Sequence, residues 1–245
     1  MRHEGRTAVI TGAAGGIGRA YALRLAAEGA AVAVLDRADG SPVVKEILDA
    51  GGRAIAVQAD LTDPAGVVAA QTEIAEQLGT ADILVNNAGM YPNQPFETMT
   101  FEQWRAVFTL NTDALFHTAK AFVPGMRERG WGRIVNMTSN SVGLVIPGFT
   151  HYVASKMAAI GFTRGLATDL ADAGITVNAI APSLVRTPTT EAGPAEFFEV
   201  VPQLQAIRQV QVPEDLTGML SFLVSDDAAF VTGQTLYVDG GLVRS

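Results

Sequence analysis

A tyrosine and a lysine four positions apart have the residue types and spacing best suited to chemistry in this chain. Tyr152 and Lys156 lie in a stretch that predicts a helix, so at 3.6 residues per turn their side chains share one face. A cation within about 4–6 Å favours the charged form of a neighbouring acid, typically by about 1–3 pKa units. We therefore expect Lys156 to lower the pKa of Tyr152 and make it a proton donor or acceptor near neutral pH.

A serine upstream completes a set suited to carbonyl chemistry. Ser139 follows the apolar run 133–138, which predicts a strand. A hydroxyl at a strand end can donate a hydrogen bond to a carbonyl oxygen that gains charge. Serine, tyrosine and lysine together indicate proton transfer at a carbon–oxygen bond. The Tyr-x-x-x-Lys spacing also arises by chance on surface helices, so the surrounding elements must decide.

A glycine-rich turn near the start of the chain indicates a phosphate site. Residues 7–11 predict a strand and 17–29 predict a helix, and between them Gly12, Gly16 and Gly18 have the spacing Gly-x-x-x-Gly-x-Gly. Glycines let backbone amides approach a phosphate, and the helix N-terminus adds a favourable dipole. The turn therefore predicts a nucleotide cofactor.

The acidic end of the second predicted strand indicates which nucleotide binds. Asp36 follows the run 31–35, about twenty positions beyond the glycines, where a carboxylate can accept hydrogen bonds from an adenosine ribose diol. It would also repel a 2′-phosphate, so NAD(H) is expected to be favoured over NADP(H). Arg37 could instead tolerate that phosphate, and Asp36 could only cap the helix after Ser41.

Strand and helix patterns alternate along the whole chain and predict a single α/β domain over 1–245. We expect a Rossmann-like, doubly wound sheet of about seven parallel strands with helices on both faces. The predicted helices include 64–78 and one long helix over 101–129. Prolines interrupt the pattern over 183–212, and this segment is expected to form a substrate-binding loop or lid.

Composition argues against several classes of function. The 245 residues carry a net charge of −8 without clusters of Lys or Arg, so neither nucleic acid nor an anionic membrane is expected as a partner. The chain has no cysteine, and its three histidines are scattered, so no metal site is expected. No apolar run is long enough to span a membrane, and the sequence predicts a cytoplasmic protein.

Several ordered motifs together are more specific than any one of them. They are Thr11 to Gly18, Asn86 to Gly89, Asn111, Ser139, Tyr152 with Lys156, Asn178 to Pro182, and 232–241. With these motifs the chain resembles the short-chain dehydrogenase/reductase family along its whole length. The resemblance implies that Tyr152 exchanges a proton with the substrate oxygen, that Ser139 holds this oxygen, and that Lys156 also binds the nicotinamide ribose. Asn111 would hold a water that connects Lys156 to solvent, or would only cap a backbone kink.

The resemblance also implies which residues bind the nicotinamide cofactor. They are Gly12, Gly16, Ile17, Gly18, Asp36, Arg37, Asp60, Leu61, Asn87, Ala88, Gly89, Tyr152, Lys156, Pro182, Val185 and Thr187. Asp60 and Leu61 would flank the adenine, whereas Asn87 could instead only tie strands together. Ser183 departs from the pattern, because the family usually has glycine after this proline, so the turn is expected to differ.

The nearest resemblance within the family is to aryl alcohol dehydrogenases of the (S)-1-phenylethanol dehydrogenase type. It rests on segments such as 90–92, 150–152 and 182–187 and implies oxidation of aryl secondary alcohols or reduction of aryl ketones. Because Val142 and Gly143 are small, the pocket is expected to accept larger ketones. The expected pocket residues are Tyr91, Ser141, Val142, Leu144, Phe149 and Leu184, with Phe197 and Phe198 as residues that could equally belong to the core.

Two alternative functions stay open. The same chemistry could serve pyridoxal, a sugar or a 3-oxoacyl thioester, although no strongly basic face is present for an acidic acyl carrier. A cofactor-sensing regulator without turnover would be expected to lack Tyr152, Lys156 or Ser139, and all three are present. The resemblance further implies a homotetramer that acts on a small-molecule ketone or alcohol.

Overall fold

A seven-stranded parallel sheet runs through the computed structural model, which describes residues 1–244. The strands stand in the order β3-β2-β1-β4-β5-β6-β7, and every neighbouring pair is parallel. This confirms the predicted doubly wound, Rossmann-like sheet. The strands are β1 Thr7–Thr11, β2 Ala31–Asp36, β3 Arg53–Gln58, β4 Ile83–Asn86, β5 Gly132–Met137, β6 Ile175–Pro182 and β7 Thr235–Val238.

Helices connect the strands and cover both faces of the sheet. They are α1 Gly16–Ala27, α2 Ser41–Asp49, α3 Pro64–Leu78, α4 Phe101–Phe108, α5 Ala114–Arg129, α6 Thr150–Leu170, α7 Pro188–Glu191, α8 Phe197–Leu204 and α9 Glu214–Leu223. Within the described residues, no helix is both long and apolar enough to cross a membrane.

The sheet separates two apolar cores. On one face Ile10 packs with residues of α1, α2 and α9, and on the other face Val9 packs with residues of α3, α5 and α6. Adjacent residues of β1 therefore enter different cores, because successive side chains of a strand point to opposite faces. Burial on both faces explains why the inner strands are apolar runs without alternation.

The order of the sheet reverses at β1, which lies between β2 and β4. Ligands of open α/β sheets bind outside the carboxyl ends of the strands at such a switch point. The carboxyl end of β1 leads into Gly12, and that of β4 leads into Asn87. The fold therefore opens its crevice where the sequence carries the glycine turn.

The predicted long helix over 101–129 is interrupted in the structure. A π-helical turn, Thr109–Asp113, separates α4 from α5. One wide turn changes which residues face inward, and Asn111 becomes buried while its neighbours are half-buried. The lid segment also differs from expectation, because 183–212 contains the short helices α7 and α8 rather than irregular chain alone.

Candidate active site

One cleft of about 580 Å³ lies at the carboxyl ends of the strands and joins the glycine turn to the lid. It brings together the residues after β5 and on α6 that are expected to carry the chemistry with the expected cofactor residues after β1 and β2. The predicted residues that line it are Gly12, Gly16, Ile17, Asp36, Asn87, Gly89, Tyr91, Ser139, Ser141, Phe149, Tyr152, Lys156, Pro182, Leu184, Val185 and Thr187.

Ser139 lies just beyond β5 and begins a 3-10 turn over Asn140–Gly143. Its Oγ accepts a hydrogen bond from the backbone N–H of Ser141 at 3.1 Å. Because an amide occupies an acceptor position, the hydroxyl proton stays available for donation. The side chain is therefore arranged to donate to an oxygen placed in the cleft.

Tyr152 and Lys156 lie on consecutive turns at the start of α6. The Lys156 Nζ is 5.7 Å from the centre of the Tyr152 ring and donates to the Met137 carbonyl oxygen at 2.9 Å. The Thr138 hydroxyl donates to the Lys156 carbonyl at 3.0 Å. These bonds fasten the first turns of α6 to the end of β5, next to Ser139.

Burial shifts both pKa values. Burial raises the pKa of Tyr152 to about 12, against a hydrogen bond with Ser139 that lowers it, and the neighbouring Tyr91 raises it further. Burial lowers the pKa of Lys156 to about 8. The pKa of Tyr152 therefore does not fall below its ordinary value as expected, because burial outweighs the stabilisation that the Lys156 ammonium can give to the phenolate. A phenol with a high pKa is a proton donor across the neutral range.

Asn111 joins the chain after β4 to α6. Its Oδ1 accepts from the Met90 N–H at 2.8 Å, and its Nδ2 donates to the Met90 carbonyl at 2.8 Å and to the Ser155 hydroxyl at 3.0 Å. A Cβ added to Gly89 would lie 3.2 Å from this Oδ1 and 3.4 Å from the Lys156 Nζ. These bonds hold Asn111 to Met90 and Ser155 rather than to the backbone of the π turn, and one acceptor position of Oδ1 remains for a water.

The glycine turn is held tightly to the strand beside it. Gly12 has a φ of +65°, and a Cβ there would lie 2.9 Å from the Ala88 Cα. The Asn87 Nδ2 donates to the carbonyls of Thr11 and Gly12 at 3.0 and 3.1 Å. Asn87 therefore does what its alternative interpretation predicted and ties β4 to the turn, while it also lines the cleft.

The turn has the features that a dinucleotide phosphate needs. Gly15 precedes α1 without a side-chain cap, so the first amides of the helix face the cleft without a protein acceptor from that residue. Gly16 has a φ of +53°, and a Cβ there would lie 3.4 Å from the Thr187 side chain across the cleft. Backbone amides, a helix N-terminus and the absence of side chains together fit the phosphates of a dinucleotide.

Asp36 lines the cleft at the end of β2. Its Oδ2 accepts from the Ala14 N–H and its Oδ1 from the Ala38 N–H, each at 2.9 Å. Both oxygens retain an acceptor position for a ribose hydroxyl. Arg37 is exposed and does not line the cleft.

Five predicted cofactor residues lie outside the cleft lining: Gly18, Arg37, Asp60, Leu61 and Ala88. Asn111, which was expected to act beside Lys156 by holding a water, also lies outside it. Asp60 is exposed, and its Oδ1 accepts from the Thr62 amide at 2.9 Å and from the Thr62 hydroxyl at 2.7 Å. Leu61 is buried in the core beneath α3. Gly18 lets helix α1 pack closely against the glycine turn, because a Cβ at this position would lie 2.2 Å from the Gly12 carbonyl oxygen.

The predicted substrate pocket is only partly assembled. Val142, Leu144, Phe197 and Phe198 do not line the cleft, and Phe198 lies under the Arg186 guanidinium, 5.0 Å from it. Gly143 does not enlarge the pocket, because a Cβ there would lie 2.8 Å from the Val243 Cγ1. The expectation that this glycine makes room for larger ketones is therefore wrong: it makes room for the C-terminal segment.

Sequence reasoning missed part of the cleft. Ile146 and Met90 add apolar surface, and Thr189 and Thr190 belong to the lid. Thr187 and Thr190 form a capping box at α7, and this short pattern was the one available signal for the lid helix. The loop that carries Ile146 has no periodicity, so its place in the cleft follows only from tertiary structure.

Two aromatic rings lie beside the phenol of Tyr152. The Tyr91 ring centre is 6.3 Å and the Phe149 ring centre 5.7 Å from that of Tyr152, both edge to face. Such arrangements stabilise aromatic pairs beyond their buried area. The part of the cleft next to the Tyr152 phenol is therefore lined by the aromatic rings of Tyr91 and Phe149.

Comparison with known proteins agrees with this geometry. A family model described as enoyl-(acyl carrier protein) reductase matches residues 12–243. The chain is 41% identical over 244 residues to a 3-oxoacyl-[acyl-carrier-protein] reductase of Synechocystis sp., and the match covers 97% of each.

Solved structures of other proteins also match the fold of this chain over nearly its whole length. A short-chain type dehydrogenase/reductase of Mycobacterium marinum superposes with a TM-score of 0.94 at 32% identity and covers 99% of this chain and 97% of that chain. A gluconate 5-dehydrogenase of Burkholderia cenocepacia, in complex with NADP and tartrate, has a TM-score of 0.93 at 35% identity and covers 98% and 96%. None of these supports the aryl alcohol subgroup in particular. The chain belongs to the short-chain dehydrogenase/reductase family of nicotinamide-dependent oxidoreductases.

Proposed function

We propose that the protein interconverts a neutral, apolar ketone and its secondary alcohol with NAD(H), with aryl ketones among the substrates. The observation that carries this proposal is the aromatic wall of Tyr91 and Phe149 around Tyr152. Among the described residues that line the cleft, Lys156 is the only Lys or Arg. A substrate carboxylate would therefore lack a dedicated cationic partner.

The chain's residues divide the chemistry between them. The bound nicotinamide supplies or accepts the hydride at the carbonyl carbon. Ser139 donates a hydrogen bond to the carbonyl oxygen as that oxygen gains charge. Tyr152 transfers its phenolic proton to the same oxygen, and the buried ammonium of Lys156 stabilises the phenolate that remains. In the oxidative direction the phenolate takes the proton back from the alcohol.

Charge on the lid supports a neutral substrate. Glu191, Glu196 and Glu199 are exposed on or beside α7 and α8. Arg186 is the only Lys or Arg between 157 and 207 apart from Arg164, and it lies 3.8 Å from the Glu191 carboxylate. An acidic acyl carrier or a sugar acid would meet like charge here, which opposes association.

A second candidate is the reduction of 3-oxoacyl thioesters, and the named relatives favour it over the aryl ketones. One specific observation in this chain also favours it. The Ser141 Oγ is buried, has no hydrogen-bond partner among the described residues, and belongs to a residue that lines the cleft beside Ser139. A substrate with a second carbonyl oxygen two carbons away could satisfy this hydroxyl.

A substrate panel separates the candidates. We expect kcat/KM with NADH for acetophenone and propiophenone to exceed that for a 3-oxoacyl thioester of N-acetylcysteamine by at least about tenfold, because one missing apolar contact is worth about 1–3 kcal/mol. The reverse order would assign the second candidate. Ser141→Ala should then lower only the thioester rate. NADH binding without turnover of any ketone, 5-ketogluconate or pyridoxal would instead identify a cofactor-sensing regulator.

The preference for NAD(H) over NADP(H) is part of the proposal, although the Burkholderia relative was solved with NADP. We expect Asp36→Ser to lower kcat/KM for NADH about 10–100-fold, because hydrogen bonds to a charged group contribute about 1.5–3 kcal/mol, and to raise it for NADPH. Asp39→Ser removes an exposed charge three residues away and should leave the ratio unchanged. The NAD(H) assignment would be overturned if the wild-type protein had a higher kcat/KM for NADPH than for NADH and if Asp36→Ser left both values unchanged.

The activity should depend on pH in one direction. Lys156 is charged below its pKa of about 8, and its charge stabilises the phenolate that forms when Tyr152 gives up its proton. We therefore expect kcat/KM for ketone reduction to be flat between pH 6 and roughly 7.5 and to fall as the pH rises through about 8. A rate that stays constant up to pH 10 would contradict this role of the ammonium.

The homotetramer stays a prediction. What supports it is an exposed groove between α5 and α6 whose apolar lining includes Phe116, Val123, Phe162 and Leu166. A second copy could cover such a surface.

A further inference from the structure

Ser183, the residue that departs from the family's usual glycine, lies at the centre of a polar network. Its backbone N–H donates to the Gln211 Oε1 at 2.9 Å, and its hydroxyl donates to the Gln205 Oε1 at 2.9 Å. Both glutamines are buried. One serine therefore bonds two side chains that follow the lid helices in sequence.

The two glutamines extend the network to β7. The Gln205 Nε2 donates to the Ile207 and Gln209 carbonyls, each at 2.9 Å. The Gln211 Nε2 donates to the Val238 carbonyl at 2.6 Å. The Oε1 and Nε2 atoms of both glutamines therefore have hydrogen-bond partners, as buried polar atoms require.

Backbone bonds join the same segments. The Arg186 N–H donates to the Gln211 carbonyl at 2.8 Å, and the Ile207 N–H donates to the Gly240 carbonyl at 2.9 Å. The ends of the lid, 183–186 and 205–211, are thus fastened to each other and to the end of β7. The exposed part between them carries α7 and α8.

We propose that Ser183 is a positioning residue that fixes the substrate-side wall of the cleft through Gln205 and Gln211. The wall begins with the next residue, Leu184, which belongs to the expected substrate pocket, and it runs on into Val185 and Thr187, which line the same cleft and are expected to contact the cofactor. Glycine at 183 would keep the hydrogen bond from its backbone N–H to Gln211 but would lose the hydrogen bond from the hydroxyl to Gln205. The backbone at 183 would also have more conformational freedom. The wall would then sample several positions, and the two faces of a prochiral ketone would be distinguished less well.

The inference rests on the proposed ketone reduction, so its test has one readout within that activity and one outside it. With NADH and propiophenone, Ser183→Ala is expected to raise KM about fivefold, to change kcat less than twofold, and to lower the enantiomeric ratio of the alcohol at least about threefold, because a neutral hydrogen bond contributes about 0.5–1.5 kcal/mol. Ser183→Thr retains the hydroxyl and should restore both values to within twofold of wild type. Ser225→Ala removes a buried hydroxyl that bonds the Phe222 carbonyl at 2.7 Å far from the cleft, and should change neither value.

Amide hydrogen exchange supplies the readout that does not need turnover. The Arg186 amide should exchange at least about fivefold faster in Ser183→Ala than in wild type and should be slow again in Ser183→Thr. Unchanged exchange in Ser183→Ala overturns the inference whether or not any ketone is reduced. Faster exchange with an unchanged KM and enantiomeric ratio, in protein that reduces ketones, overturns the claim that the network positions the substrate wall.

Discussion

Replacing Tyr152 with phenylalanine should lower kcat for ketone reduction by at least about 10³-fold, near the upper part of the range for a lost general acid. The substitution removes the phenolic proton and leaves the ring, so the edge contacts with Tyr91 and Phe149 can persist. The dissociation constant of NADH should change less than about threefold, because the glycine turn and Asp36 are untouched. Steady-state kinetics and NADH fluorescence titration measure the two quantities.

Tyr21→Phe is the matched control for this substitution. Tyr21 is buried whereas Tyr152 is half-buried, and the Tyr21 hydroxyl has only a weak contact with the Met137 sulfur at 3.5 Å. Loss of that hydroxyl should leave kcat within about twofold. Turnover retained by Tyr152→Phe would remove the phenol from the mechanism, and equal losses in both variants would indicate general destabilisation.

Replacing Gly18 with alanine should have the second large effect, on NADH binding and on folding together. An added Cβ would lie 2.2 Å from the Gly12 carbonyl oxygen and 2.8 Å from the Ala13 Cα, and neither backbone atom can move aside without opening the turn. Forced overpacking typically costs about 1–3 kcal/mol or more. We expect at least about a 30-fold weaker NADH affinity and a lower Tm, measured by fluorescence titration and thermal unfolding.

Gly218→Ala is the control for that glycine. Gly218 lies in α9, is exposed, and has no described atom within 4 Å of an added Cβ. Alanine there should stabilise the helix by roughly 0.5–1 kcal/mol and leave NADH affinity unchanged. If Gly18→Ala bound NADH like wild type, the tight approach of α1 to the turn would have no role in cofactor binding.

The sheet was predictable because its evidence is local. The β-branched and apolar runs of the strands and the helix 64–78 follow from composition and period alone, and the structure gives α3 as Pro64–Leu78. The π turn at Thr109–Asp113 was not predictable in this way. Asn111 turns inward because its side chain meets Met90 and Ser155, which lie 21 and 44 residues away in sequence.

In the candidate site, too, local sequence patterns predicted some features and only tertiary contacts decided the others. The spacing of Tyr152 and Lys156 placed both on one helix face, but the direction of the phenol pKa depends on burial, which no motif encodes. Asp60 was expected at the adenine, and this stays a prediction: Thr62 donates both of its bonds to the Asp60 Oδ1, an arrangement that follows from the neighbouring sequence rather than from a cofactor motif. Local patterns therefore identified residues that the fold brings into one cleft, whereas the pKa values of these residues depend on how the chain packs.

The contact between Gly143 and Val243 links the loop of the catalytic serine to a residue one hundred positions away. A larger side chain at 143 requires Val243 to shift or to be replaced by a smaller residue. The two sites therefore form an epistatic pair. A directed-evolution library that varies them one at a time would discard combinations that a paired library retains.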